Sequence, residues 1–100
     1  MSVYVDELRH YPPTPRWRHG EACHMTADTL EELHAFAGKL QLRRSWFQPH
    51  RHVPHYDLTV RKRAAAVLAG AIEVRARDYV RSLLKAGKLD KGLDMADNLT

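Results

Sequence analysis

Glu7-Leu-Arg-His-Tyr-Pro-Pro-Thr-Pro-Arg-Trp-Arg-His-Gly-Glu-Ala-Cys-His-Met25 is the stretch on which the fold turns. Pro12, Pro13, Pro15 and Gly20, set among Arg16, Trp17, Arg18 and His19, break any regular element, so the segment reads as one long irregular loop. Loops of roughly this length inside a small domain are usually functional. Before it, Val3-Tyr-Val5 is a β-branched and aromatic run closed by Asp6 and reads as a strand. After it, Asp28 with Glu31, or Thr29 with Glu32, has capping-box spacing, and Leu30, Leu33, Ala37 and Leu40 recur at helical intervals. Asp28 is read first as a helix cap. Further on, Arg44-Ser-Trp-Phe-Gln48 reads as a strand stopped by Pro49, and His50-Arg-His-Val-Pro-His-Tyr-Asp57 as a second irregular loop. Thr59 caps a helix whose apolar positions are Val60, Ala64, Val67 and Leu68 and whose stop is Gly70. Ala71-Ile-Glu-Val-Arg75 alternates like a half-buried strand, and Asp78 to Ala86 makes a third helix ended by Gly87.

The order is strand, helix, strand, helix, strand, helix, with no hairpin signal between successive strands. It predicts an α/β fold: a small three-layer domain over residues 1–89 with a mainly parallel three-stranded sheet and flanking helices, followed by a polar tail over residues 90–100. In such a sheet the loops that leave strands open at the carboxyl edge, where ligands bind. Asp6, His10, His19, His24 and Asp28 come from the first irregular loop, and His50, His52, His55 and Asp57 from the second, so all are expected at one end. His34 lies inside the first helix, facing the sheet, and reads as a hydrogen-bonded core histidine.

One hundred residues leave room for a single small domain and exclude a two-domain enzyme. With 44% hydrophobic and 28% charged residues, neither disorder nor a fibrous repeat is indicated. No apolar stretch approaches the ~18 residues of a membrane span, and the start lacks the regions of a signal peptide, so a cytoplasmic protein without a membrane partner is expected. The lone Cys23 cannot form an internal disulfide. A formal charge of +4 permits attraction to phosphate without diagnosing nucleic-acid binding. Seven histidines, all between His10 and His55, are the more informative feature.

Imidazole and carboxylate are the usual nitrogen and oxygen ligands of zinc and other divalent ions, and groups from separate segments can hold an ion with an open position. The candidate ligands are Asp6, His24, His55 and Asp57, for zinc, manganese or magnesium. The candidate catalytic residues are His24 and His55, one of them moving a proton, with Arg44 neutralising developing negative charge. The corresponding function is a divalent-metal-dependent phosphoester hydrolase acting on a nucleotide or nucleic acid. Without metal, the same groups could serve as general acid and base, or simply hold a phosphate. His50-x-His52-x-x-His55-x-Asp57 fits neither a His-Glu-x-x-His helix nor a zinc finger, and a turn and helix-capping role for His55 to Asp57 competes with it. Arg16-Trp-Arg18, Arg43-Arg44-Ser-Trp46 and Arg61-Lys-Arg63 interleave basic and aromatic residues, which supports the alternative of a nonenzymatic nucleic-acid- or protein-binding module. Open sheet edges make a homodimer compatible with either reading. No Gly-rich phosphate loop or Gly-x-Ser-x-Gly elbow is present.

From Val3 to about Leu89 the chain resembles the short bacterial and phage domains grouped as domain of unknown function 4031. The likeness rests on Val5-Asp6, on Trp17 and His24, and on Asp28-Thr29 followed by Glu32-Leu33-His34-Ala35-Phe36-Ala37. It continues through Arg44 and Phe47, His55-Tyr56-Asp57, Gly70-Ala71 with Val74, and Leu83 to Ala86-Gly87-x-Leu89. No activity comes with that family. The resemblance implies an emphasis on Asp6, His24, Asp28, His34, His55 and Asp57, with His50 and His52 outside the pattern.

Overall fold

The computed structural model describes residues 2–49 and 53–85. His50, His52, the end of the third helix at Ala86-Gly87 and the tail over residues 90–100 lie outside the described residues. The elements in chain order are β1 (Val3–Val5), β2 (Arg9–His10), β3 (Glu21–Ala27), α1 (Leu30–Lys39), β4 (Phe47–Gln48), β5 (His55–Leu58), α2 (Val60–Leu68), β6 (Ile72–Glu73) and α3 (Ala76–Lys85). Six strands form one sheet in the order β4-β5-β3-β1-β6, with β2 also paired to β3.

This overturns the expected mainly parallel three-stranded sheet. The pairing of β1 with β6 is parallel, whereas β1 with β3, β2 with β3, β3 with β5 and β4 with β5 are all antiparallel. Two segments read as loops hold the missing strands. Glu21–Ala27 is the longest strand, flanked by β5 on one side and by β1 and β2 on the other, and His55–Leu58 is its neighbour. The prolines occupy only the excursion between β2 and β3. That excursion is a hairpin-like turn closed by Tyr11 N–H to Gly20 C=O at 2.9 Å and by a bridge between Thr14 and Trp17. Gly20 launches β3 from φ +75°, a conformation open to glycine at little steric cost. Of the expected strand at residues 44–48, Arg44–Trp46 is a 3-10 turn and only Phe47–Gln48 pairs.

The helices lie nearer to expectation. Thr29 caps α1 through Glu32 N–H, and Thr59 caps α2 through Lys62 N–H. Asp28 is not the cap. Its carboxylate accepts from Ser2 N–H at 2.9 Å and from the Tyr4 hydroxyl at 3.1 Å, tying β1 to the end of β3. In α2 the buried residue is Ala66, while Val60 and Leu68 are 44% and 89% exposed, so the helix is turned away from its expected apolar stripe. The small Ala66 lets the helix sit close on the sheet. In α3, which starts at Ala76 rather than Asp78, Glu7 Oε1 accepts the first N–H at 3.0 Å.

Alternation along the strands sorts side chains to two faces. Val3, Val5, Cys23, Met25, Tyr56 and Leu58 point to one face and form the core with Leu33, Ala37, Leu40 and Ala66 of the α1 and α2 region. Full burial of side chains such as Met25 or Leu58 contributes roughly 1.5–3 kcal/mol each. The opposite face carries Tyr4, Thr26, His24, His55 and Asp57. Tyr79 of α3 meets Tyr4 there, with ring centroids 5.2 Å apart.

Candidate functional site

The register places the site. His24 pairs with Asp57 across β3 and β5, and His55, two residues from Asp57, falls on the same face. One atom from each of His24, His55 and Asp57 lies within 4.8 Å of the other two. The expected gathering at a loop rim is thus replaced by gathering on the sheet face.

Asp6 reaches His24 through a local irregularity. Between the pairs Val5↔Met25 and Arg9↔Ala22 the β1–β2 side holds three residues, Asp6 to Leu8, against two, Cys23 and His24, on β3. Such an extra residue is a bulge, which re-aims side chains. Here Asp6 N–H donates to His24 C=O at 3.1 Å, but His24 N–H donates at 2.6 Å to Asp6 Oδ1 rather than to the Asp6 carbonyl. The carbonyl so released accepts from Arg63 Nε at 2.8 Å. Asp6 Oδ2 then lies 2.8 Å from His24 Nδ1. Both carboxylate oxygens of this buried residue are engaged by His24.

Those contacts set the tautomers. In the neutral ring, with Nδ1–H of His24 donated to Asp6, Nε2 carries the lone pair, 3.7 Å from Asp57 Oδ1. His55 Nδ1 lies 2.9 Å from the Val53 carbonyl, which can only accept, and His55 Nε2 lies 3.5 Å from the same Asp57 oxygen. The two rings meet edge to face at 4.7 Å. A distance of 3.5–3.7 Å is too long for a good hydrogen bond. It matches the spacing of about 3.4 Å between two ligands on a tetrahedral ion with bonds near 2.1 Å. Orienting each imidazole by an acceptor on its other nitrogen is the usual second-shell arrangement of metal-binding histidine. Burial of the His24 ring opposes protonation, but the Asp6 hydrogen bond and the charges of Asp6 and Asp57 outweigh it and hold the imidazole above its ordinary value.

His24 stands between two spaces. On one side, a chamber of about 30 Å³, the size of a water, lies between the sheet and α3 and is bordered also by Asp6 and His55. On the other, a cleft of about 370 Å³ is lined by Tyr11, Pro12, Thr14, Trp17, Ala22, His24 and Asp57.

Other expected site residues lie elsewhere. Arg44 is exposed and places its guanidinium 5.1 Å from the Phe47 ring, beside His34 and Tyr56 on the α1 face, so it does not approach the cluster. His34 is half-buried, with Nδ1 2.9 Å from the Tyr56 hydroxyl, as a hydrogen-bonded helix histidine should be. Asp28 stands at the far end of β1. His10 is exposed on β2, and His19 packs against the Trp17 edge at 5.0 Å. Cys23 points into the core, where burial pushes its thiol up to about 12, so it forms no nucleophilic pair with His24. Of Arg61-Lys-Arg63, Lys62 donates to Leu40 C=O at 2.6 Å and Arg63 to Asp6 and Glu73, which removes two of the three from any nucleic-acid groove. A cation that the sequence reading did not single out is Arg9 of β2, which pairs opposite Ala22 and places Nη2 3.4 Å from Glu7 Oε1. The alternation of Glu21–Ala27, polar His24 and Thr26 against apolar Cys23 and Met25, is the signal that would have marked β3 as a strand, but nothing in it places Arg9 opposite Ala22.

Among the described residues no helix is long and apolar enough to cross a membrane. No curated protein and no solved structure matches the chain. The family model of DUF4031, proteins of unknown function, matches residues 3–86, a span that takes in Asp6, His24, His55 and Asp57. The chain belongs to the DUF4031 family.

Proposed function

We propose that the chain is a divalent-metal-dependent hydrolase of phosphoesters, of nucleotide or nucleic-acid type, whose ion is held by His24 Nε2, His55 Nε2 and the Asp57 carboxylate. The observation that carries the reading is the spacing of 3.5 and 3.7 Å between one carboxylate oxygen and two imidazole nitrogens, each ring oriented through Nδ1. Two nitrogens and one oxygen suit zinc or manganese, and suit magnesium poorly, since it favours an all-oxygen octahedron. When bound, such an ion polarises a phosphoryl oxygen and lowers the pKa of water.

The chain's own groups have separable tasks. Asp6 fixes the tautomer and orientation of His24, and the Val53 carbonyl does so for His55. Arg63 holds the Asp6 carbonyl and thereby the bulge. Arg44 has no part in this reading, and the chain's formal charge of +4 favours approach of an anionic substrate.

The test is metal content after dialysis of untagged protein against zinc or manganese, with cobalt(II) spectra to report nitrogen ligation and release of phosphate from nucleotides as the activity. About one equivalent of ion per chain is expected, lost in His24→Ala and His55→Ala proteins whose circular dichroism is unchanged. A wild-type chain that retains no ion at micromolar free zinc overturns the reading.

A further inference from the structure

The larger cleft shares two walls with the candidate metal centre, because His24 and Asp57 line both. Its far wall is Tyr11, Pro12, Thr14 and Trp17. That wall is held before any ligand arrives. Trp17 N–H donates to the Thr14 carbonyl at 3.1 Å, Thr14 N–H returns the bond at 2.7 Å, and the indole Nε1–H donates to Glu21 C=O at 3.1 Å. A ring pinned in this way loses little freedom when a ligand packs on it. At about 370 Å³ the cleft is near the small end of ligand sites, which run roughly 300–1,000 Å³, and has room for one nucleotide.

We propose that this cleft is the substrate subsite of the metal centre, taking the nucleobase of a mononucleotide against Trp17 and Tyr11 while its phosphate lies at His24 and Asp57. The inference rests on the metal-centre reading and adds to it the part of the substrate that the centre does not touch. Stacking on aromatic rings accepts every base, since each has a π face, so the subsite selects for the presence of a ring rather than for its identity. Burial holds the Tyr11 phenol above its ordinary value, which keeps its hydroxyl protonated and able to donate to a base or ribose oxygen.

The chain has two tryptophans, so Trp46→Phe leaves Trp17 as the sole emitter. This protein, with and without zinc, is titrated with the methylenephosphonate analogue of adenosine 5′-monophosphate and with methylphosphonate, neither of which can be hydrolysed at the ester position. Saturable change in Trp17 emission is expected with the nucleoside probe, bound about 5- to 150-fold tighter than methylphosphonate. Calorimetry on Trp17→Ala and Tyr11→Ala proteins should show that preference reduced while zinc affinity stays within about twofold, as neither residue is a ligand. Equal affinity for the two probes in zinc-loaded protein overturns the subsite and leaves the metal centre standing. Failure to retain zinc, with the nucleoside probe still perturbing Trp17, overturns the metal centre and with it the subsite's assignment to that centre.

Discussion

Asp6 and Asp57 both approach His24, yet the effects of removing their carboxylates should rank in opposite order for loss of stability and for loss of metal binding. Asp6 is 6% exposed and makes two short contacts to His24, at 2.6 and 2.8 Å. In Asp6→Asn the amide oxygen can still accept the His24 backbone N–H, but the NH2 group then faces Nδ1–H, two donors without an acceptor. The ring must turn or change tautomer, which withdraws the Nε2 lone pair from Asp57. Loss of a hydrogen bond to a charged, buried acceptor costs about 1.5–3 kcal/mol, which lowers the thermal midpoint of a domain this size by on the order of 10 °C. Metal affinity should fall roughly 10–100-fold, the range for second-shell partners. Asp57, by contrast, has a side chain 34% exposed and approaches the imidazoles no closer than 3.5 Å. Asp57→Ala should therefore change the stability of metal-free protein by less than about 1 kcal/mol. It removes a ligand outright, so its metal affinity should fall below that of Asp6→Asn. Urea unfolding in the presence of a chelator, paired with zinc titration of both variants, measures the two effects separately. If Asp57→Ala loses more stability than Asp6→Asn in chelator, Asp57 anchors a hydrogen-bonded network instead of waiting for an ion, and the argument for the site fails.

Cys23, 1% exposed and with its thiol pushed up to about 12, should resist iodoacetamide at pH 8 in the native protein and react only on unfolding; labelling of folded chain would place it nearer the surface than the sheet allows. His34 should titrate below 6.5, because burial and the neighbouring Arg44 both disfavour its charged form. Its contribution to stability is therefore present above the unfolded value of 6.5 and is lost as pH falls through the lowered folded value. Ring-proton NMR reports the midpoint directly: Arg44→Gln should move it upward, and a wild-type midpoint above 6.5 would contradict the placement of Arg44 beside the ring.

The local signals in the sequence were reliable where one residue type has one physical job. Thr59 marks the start of α2, and Gly70, at φ +111°, closes that helix as glycine after a helix commonly does; at α1 the spacing offers both Asp28 and Thr29, and the structure uses Thr29. Val3–Val5 is a strand for the same β-branched reasons that mark it in the sequence. What failed was treating the proline cluster as a property of the whole segment from Glu7 to Met25. The prolines sit in the turn between β2 and β3, so they end before Gly20 and leave the alternating Glu21–Ala27 free to pair. Strands of two to four residues, such as β2, β4 and β5, are too short to show a period and are specified by their partners. The bulge at Asp6–Leu8 has no signature in sequence at all, because it is defined by a one-residue mismatch between two strands far apart along the chain.

His24, His55 and Asp57 nevertheless come together, and the route matters for what they can do. Carried on loops at a sheet rim, they would have drawn their spacing from mobile backbone. On β3 and β5 they instead inherit the ladder's register, His24 opposite Asp57, with β3 paired on both sides. The approach to His55 is tied as well, since Thr26 Oγ1 donates to the Pro54 carbonyl at 2.8 Å and the Val53 carbonyl meets the His55 ring. Strand pairing fixes the backbone from which these side chains project, so their separation of 3.5–3.7 Å is set on a ladder instead of on a loop. A fixed backbone is what the proposed centre requires of its scaffold, since His24 and Asp57 also line the Trp17 cleft. The two strands that the sequence reads as loops, β3 and β5, therefore explain both why the topology differs from expectation and why His24, His55 and Asp57 share one face.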